Sequence, residues 1–247
     1  MGMILNRIFL KLKSPEVADS WFMHTSFIQN FIKICLKMYN RTAPKLPICT
    51  RVRTGSLGTG NQIHTTAIID YGRVIIGDSC SIEKNVVIEK NSIIGSHVTI
   101  SQGAVIGSEG FEQRRIAGEV IPVAHLGGVI INDDVVLGSR VCVDRSALGE
   151  YTEIGRSSTI QANVQIGHGI KIGRHVTVSE GTMIGGYVTL GDHVVIGRHC
   201  SLADGIILQD GVTIPDNSVI THDIENPADS TVPKRNFGSR PESVEGR

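Results

Sequence analysis

His168 sits two residues after Ile166, and Gly185 and Gly186 follow 18 residues after Gly167 and His168. Gln161 and Asn163 precede it in the same stretch, TIQANVQIGHG. Imidazole has an unperturbed pKa of about 6.5, so it can take up and return a proton near neutral pH. Two consecutive glycines leave space beside a neighbouring ring and open their N–H groups to a ligand. A titratable group, amide donors and an open corner are the parts of an acyl-transfer site. The plainer alternative is one more solvated turn histidine.

A repeat must hold those parts in place. From Ile154 to Ile220 every sixth residue is Ile, Val or Leu. An earlier run in the same rhythm goes from Ile76 to Ile106, and a short one joins Ile131, Leu137 and Val143. Neither a helical period nor simple strand alternation produces this pattern. Six residues make one flat side and a corner, so three sides close a coil of 18 residues. Stacked coils pair as parallel strands about 4.8 Å apart and bury one another's apolar side. Ile154, Ile172, Leu190 and Leu208 are then neighbours on one face. Glycine is frequent one place after the anchor, as at Gly77, Gly155 and Gly173, and the expectation is that it supplies positive φ at the corner. Cys80 and Cys200, four places after their anchors, read as core filler. His97, His175, His193 and His199 fall three places after theirs, in outward corners. His175 and His193 should stack on adjacent coils, but two imidazoles without a third ligand do not make a metal site. No metal is expected.

Composition narrows the class. Of 247 residues 40% are hydrophobic but only 4% aromatic, so the core is aliphatic. The net charge is zero and no basic block stands out, which argues against nucleic acid as a partner. Five cysteines without metal spacing suit a reducing cytoplasm, and no apolar run approaches the ~20 residues of a membrane span.

The rhythm breaks between Ile106 and Ile131, where residues 107–128 read as a protruding loop of functional length. It slips again in DRSALGEYTE. Residues 1–60 form a separate segment with an amphipathic helix starting near Ser20 and ended by APKLP. Its expected role is to cap the open end of the coil stack or to pack between subunits, with a membrane-surface helix as the alternative. Residues 61–222 form the repeat domain, and 223–247 a polar, Pro-containing, partly disordered tail.

The hexad pattern resembles the hexapeptide-repeat proteins, which implies an all-β, left-handed parallel β-helix and a homotrimer with sites in grooves between subunits. The γ-type carbonic anhydrases share that fold, but no histidine pair here has their five-residue spacing. The stretch IGSEGF, IPVAHLGG, DRSAL and IGHG resembles the lipid A UDP-3-O-acylglucosamine N-acyltransferase family, whose corresponding motifs read IGxxGF, IPQxG, IDRGAL and IAHN. The resemblance implies His168 as general base and the Gly186 amide as oxyanion donor. Phe111, Asp144 and Arg145 lie in its matching motifs, and with His125 and the corner residues Gly185 and Asn163 they are expected around donor or acceptor, with Phe111 and the 107–128 loop beside a pantetheine arm that a neighbouring subunit helps to enclose. Gln161 stands where that family has Asp, so only an orienting role remains for it. About 60 unlike residues precede the repeat in place of that family's uridine-binding domain, and IPDNSVITHDIENPA resembles the end of acetyl-CoA-dependent acetyltransferases. The expected function is therefore acyl transfer from acyl carrier protein or acyl-CoA to an amine of a sugar or nucleotide sugar. An acetyl-CoA-dependent sugar acetyltransferase and a non-catalytic scaffold are the alternatives.

Overall fold

The structure is a computed structural model and describes residues 26–42, 52, 54–147 and 149–225. The start expected for the helix near Ser20, Leu148 and the tail from 226 lie outside the described residues. The hexads fold as expected into three parallel sheets of eight strands each. Most strands are two residues long, one side chain in and one out. The inward one is the hexad anchor, and β-branched or leucine side chains fill this half-buried slot well. Ile172 pairs with Ile154 on one side and Leu190 on the other, and Leu190 with Leu208, which is the predicted register. The anchors form one aliphatic core from Val74 to Ile224, and Cys80 and Cys200 are buried in it. Two inward polar groups are satisfied: the Ser158 hydroxyl donates to the Gly173 carbonyl at 3.0 Å, and that of Thr182 to Gly197 at 2.9 Å.

The corners are built differently from the expectation. Positive φ falls three places after the anchor, at Asn163 (58°), His175 (56°) and His193 (60°); one place after it only Gly107 (85°), where the excursion begins, has it among the described residues. Asparagine and histidine tolerate this left-handed conformation better than most residues. The glycines directly after the anchors serve another purpose. A Cβ on Gly155 would lie 2.2 Å from the Gly173 carbonyl oxygen of the next coil, and one on Gly173 2.6 Å from Gly191. They permit close stacking of coils. At the second place after several anchors an aspartate accepts the matching backbone N–H of the preceding coil, as in Arg174 N to Asp192 Oδ1 (2.7 Å) and Asp192 N to Asp210 Oδ1 (2.8 Å). The His175 and His193 rings do stack, with centroids 5.0 Å apart.

Residues 107–128 contain an antiparallel hairpin, Gln113–Ile116 against Glu119–Pro122. Ala117 and Gly118 at its tip both have positive φ, the mark of the two-residue turn whose twist matches a hairpin. Helix α1, Ser26–Thr42, packs on this hairpin and not on an open end of the coil stack. Leu36 is buried with Ile121, Val123 and Ala147, and Lys33 and Lys37 both pair with Glu119. An amphipathic pattern shows that one face is buried, but not against what.

Candidate active site

Arg145 closes the base of the 107–128 excursion. It is only 8% exposed. Its Nε donates to the His125 carbonyl (2.8 Å), Nη1 to the Gly107 carbonyl (3.1 Å) and Nη2 to Glu109 (2.9 Å). One guanidinium thus ties the outgoing and returning strands together, as its rigid fork of donors allows. Its neighbour Asp144 accepts from Ser108 Oγ at 2.6 Å and from Gln165 Nε2 at 3.2 Å. Both residues hold the excursion to the β-helix.

The excursion folds back over the corner of its own chain. His168 is 8% exposed, not an open corner residue. The His125 ring meets it edge-on at 4.8 Å and the Tyr187 ring at 4.7 Å. Glu112 Oε2 lies 3.9 Å from His168 Nδ1. A Cβ on Gly110 would come within 3.1 Å of the ring, and one on Gly186 within 2.7 Å, so both glycines are needed to seat the imidazole. The space beside His168 is therefore filled, and the cover comes in cis where a neighbouring subunit was expected.

Glu112 is held from two sides. Arg114 donates to Oε1 through Nε (2.9 Å) and Nη2 (2.6 Å), and the Tyr187 hydroxyl donates to Oε2 at 3.0 Å. Burial, with the Glu112 charge added, pushes the Tyr187 phenol well above its ordinary range. Burial likewise pushes the His125 imidazole down, against the pull of Glu112, Glu109 and Asp144. His125 is 1% exposed, and neither ring nitrogen makes a hydrogen bond among the described residues. Glu112, His125 and His168 bring potential metal-ligand atoms within 4.8 Å of one another. The carboxylate is already committed to Arg114 and Tyr187, and the guanidinium beside it disfavours a cation there.

The other expected site residues separate. The Gly186 N–H donates to Asp204 Oδ1 at 2.8 Å, the same inter-coil device as at Asp192 and Asp210. It is not an open oxyanion donor in this structure. The Gly185 N–H is spent on the Leu202 carbonyl at 2.9 Å. Gln161 is exposed and accepts from the Glu180 amide at 3.3 Å, and Asn163, also exposed, accepts from Arg140 at 2.7 Å. Phe111 is 83% exposed beside Glu112, available to a ligand.

Sequence reasoning missed Glu112 and Tyr187. The excursion has no period from which to read Glu112. Tyr187 did carry a signal: it occupies the left-handed corner slot, with φ 61°, where most other coils place Asn, His or Gly. A bulky residue there is uncommon and marks strain held for a purpose.

The buried His125 gives a pH dependence of stability. Its folded pKa is lowered, so below about pH 6.5 the unfolded chain takes up a proton that the folded chain does not. Stability is independent of this group above that pH and falls as pH drops below it. The urea midpoint is expected to decline from about pH 6.5 to about 5, and His125→Asn to flatten that decline. An unchanged slope in His125→Asn would contradict the assignment.

The bacterial transferase hexapeptide family (six repeats) matches residues 73–108 and 151–186. The hexapeptide repeat of succinyl-transferase matches 128–168 and 187–222. The UDP-3-O-acylglucosamine N-acyltransferase of Anaeromyxobacter dehalogenans is 38% identical over 97 residues, which is 37% of this chain and 27% of that protein. The enzyme of the same name from Wolinella succinogenes is 44% identical over 88 residues, 35% of this chain and 27% of that protein. The chain thus matches about a quarter of these relatives' length. Among solved structures, UDP-N-acetylglucosamine acyltransferase from Arabidopsis superposes with a TM-score of 0.59 at 19% identity, covering 68% of this chain and 57% of that one. The Francisella novicida enzyme gives 0.53 at 20% identity, covering 66% and 62%. The two repeat families together span more than half of the residues, and the chain belongs to the hexapeptide-repeat proteins, folded as a left-handed parallel β-helix.

Proposed function

We propose that the protein is an acyltransferase that moves an acyl group from a pantetheine thioester, on CoA or acyl carrier protein, to an amine of a sugar or nucleotide sugar. The observation that carries this reading is His168, seated by two glycines and faced by a carboxylate, within a matched hexapeptide-repeat segment. The acceptor nitrogen attacks the thioester carbonyl carbon while His168 Nε2 takes its proton. The tetrahedral intermediate then expels the thiolate, the C–S bond breaks, and the imidazolium returns the proton to sulfur. Gly186 serves the oxyanion only if its amide exchanges Asp204 for the substrate oxygen. Phe111, exposed beside Glu112, would border the pantetheine or acyl arm. The reading includes a homotrimer in the cytoplasm. No helix among the described residues is long and apolar enough to cross a membrane.

Thiol release from acetyl-CoA and from long-chain acyl carrier protein, with and without an amino-sugar nucleotide, tests it. Release that requires the free amine supports the proposal. Transfer to hydroxyls alone shows a sugar O-acetyltransferase, and no release with any pair shows a scaffold.

A further inference from the structure

We propose that Glu112, carried on the excursion, is the positioning carboxylate of the His168 base. The inference rests on His168 acting as the base. Within the β-helix the stretch TIQANVQIGHG offers no carboxylate, and Gln161 is a neutral amide engaged one coil away. The excursion places a carboxylate 3.9 Å from Nδ1, with side chains of both residues 11% exposed. That distance is longer than a hydrogen bond, so the resting contact is electrostatic. Catalytic contacts of this kind commonly tighten when substrate binds.

The carboxylate is aimed by its other partners. Arg114 holds Oε1 and the Tyr187 hydroxyl holds Oε2, while Tyr187 packs its ring on His168. One tyrosine therefore fixes both members of the pair. The groups facing the imidazole sort simply by charge. His125 from the excursion stays neutral because it is buried, and Tyr187 from the next coil stays a phenol. Gly110 and Gly186 bring no side chain. Arg114 neutralises part of the Glu112 charge, the Glu109 and Arg145 pair is internally compensated, Asp204 is engaged by the Gly186 amide, and Asp144 by Ser108 and Gln165. Glu112 is left as the group that favours the imidazolium.

The proton accounting is that of a histidine with a carboxylate behind it. The acceptor proton moves to Nε2, the imidazolium presents its Nδ1–H to Glu112, and the Nε2 proton then leaves with the thiolate. Glu112 remains ionised throughout. The base is thus borne by the β-helix and its counter-charge by a separate element, the excursion, next to the hairpin on which helix α1 is docked.

Glu112→Gln tests this, since it preserves size and the acceptor for Tyr187 while removing the charge. Expected are a fall in kcat of roughly 10- to 1,000-fold, a KM within a factor of about three, and an acid limb of the pH–rate profile moved to lower pH. Arg114→Met should move that limb the opposite way, because it removes the cation that offsets Glu112 and leaves the Glu112 side chain in place. Wild-type kcat in Glu112→Gln, or an acid limb that stays put in both variants, would overturn the proposal. Full activity in a His168→Ala control instead refutes the base itself, so the two failures are distinguishable.

Discussion

His168→Ala is expected to slow acyl transfer by about 10²–10⁴-fold, the usual contribution of a positioned general base. The ring is also packed between His125 and Tyr187 and is only 8% exposed, so truncation costs stability as well, by about 1–3 kcal/mol. Rates must therefore be compared well below the variant's melting temperature. The matched control is His175→Asn. His175 lies in the next outward corner along the chain with φ 56°, and asparagine keeps that conformation where alanine would strain it. The control should retain activity within about twofold, since surface changes of this kind seldom exceed ~0.5 kcal/mol. Equal loss in both variants would reduce His168 to a structural histidine.

Gly155→Ala should destabilise the β-helix by about 3 kcal/mol or more, among the larger effects of a single methyl group. The new Cβ would meet the Gly173 carbonyl oxygen at 2.2 Å and its carbon at 2.4 Å. Neither can yield, because the Gly173 amide is bonded to the Leu190 carbonyl and the Gly155 amide to that of Ile172. Two further glycines separate space from conformation. Gly118 has φ 78° with nothing near its added Cβ, so Gly118→Ala should cost about 1–2 kcal/mol through backbone strain alone. At Gly72, where φ is ordinary and the nearest atom is Asp70 Oδ1 at 3.6 Å, alanine should change stability by less than ~0.5 kcal/mol. Denaturant midpoints that rank Gly155 with Gly118 would contradict the close-stacking account.

The fold was legible because one signal repeats. Each coil reports the same anchor, so register errors at one position are corrected by its neighbours, and the Ile154 to Leu208 stack follows directly. What each glycine is for was not legible, since a close approach between coils leaves the same residue in the sequence as a turn does. At the site, His168 stood out because it breaks the repeat. Of its partners, His125 was expected near donor or acceptor, but Glu112 and Tyr187 were not legible. Glu112 and His125 come from an aperiodic excursion whose path depends on Arg145 bridging Gly107 and His125. Asp144 and Arg145 were expected at the site because they match the DRSAL motif of the resembling family, and their polar atoms bind the excursion and the neighbouring strand. The engagement of the Gly186 amide by Asp204 follows from the aspartates two places after the anchors, a second pattern that only the stacked coils explain.

The most direct measurement is the mass of the acceptor after incubation with an isotopically labelled acyl thioester. Wild-type protein should yield an amino-sugar product heavier by one labelled acyl group, in an amide stable to mild base that cleaves esters, with one free thiol released per product. His168→Ala at equal folded concentration should yield little or none at the same time point. Equal product from both proteins, or label found only in base-labile esters, would contradict histidine-assisted transfer to an amine.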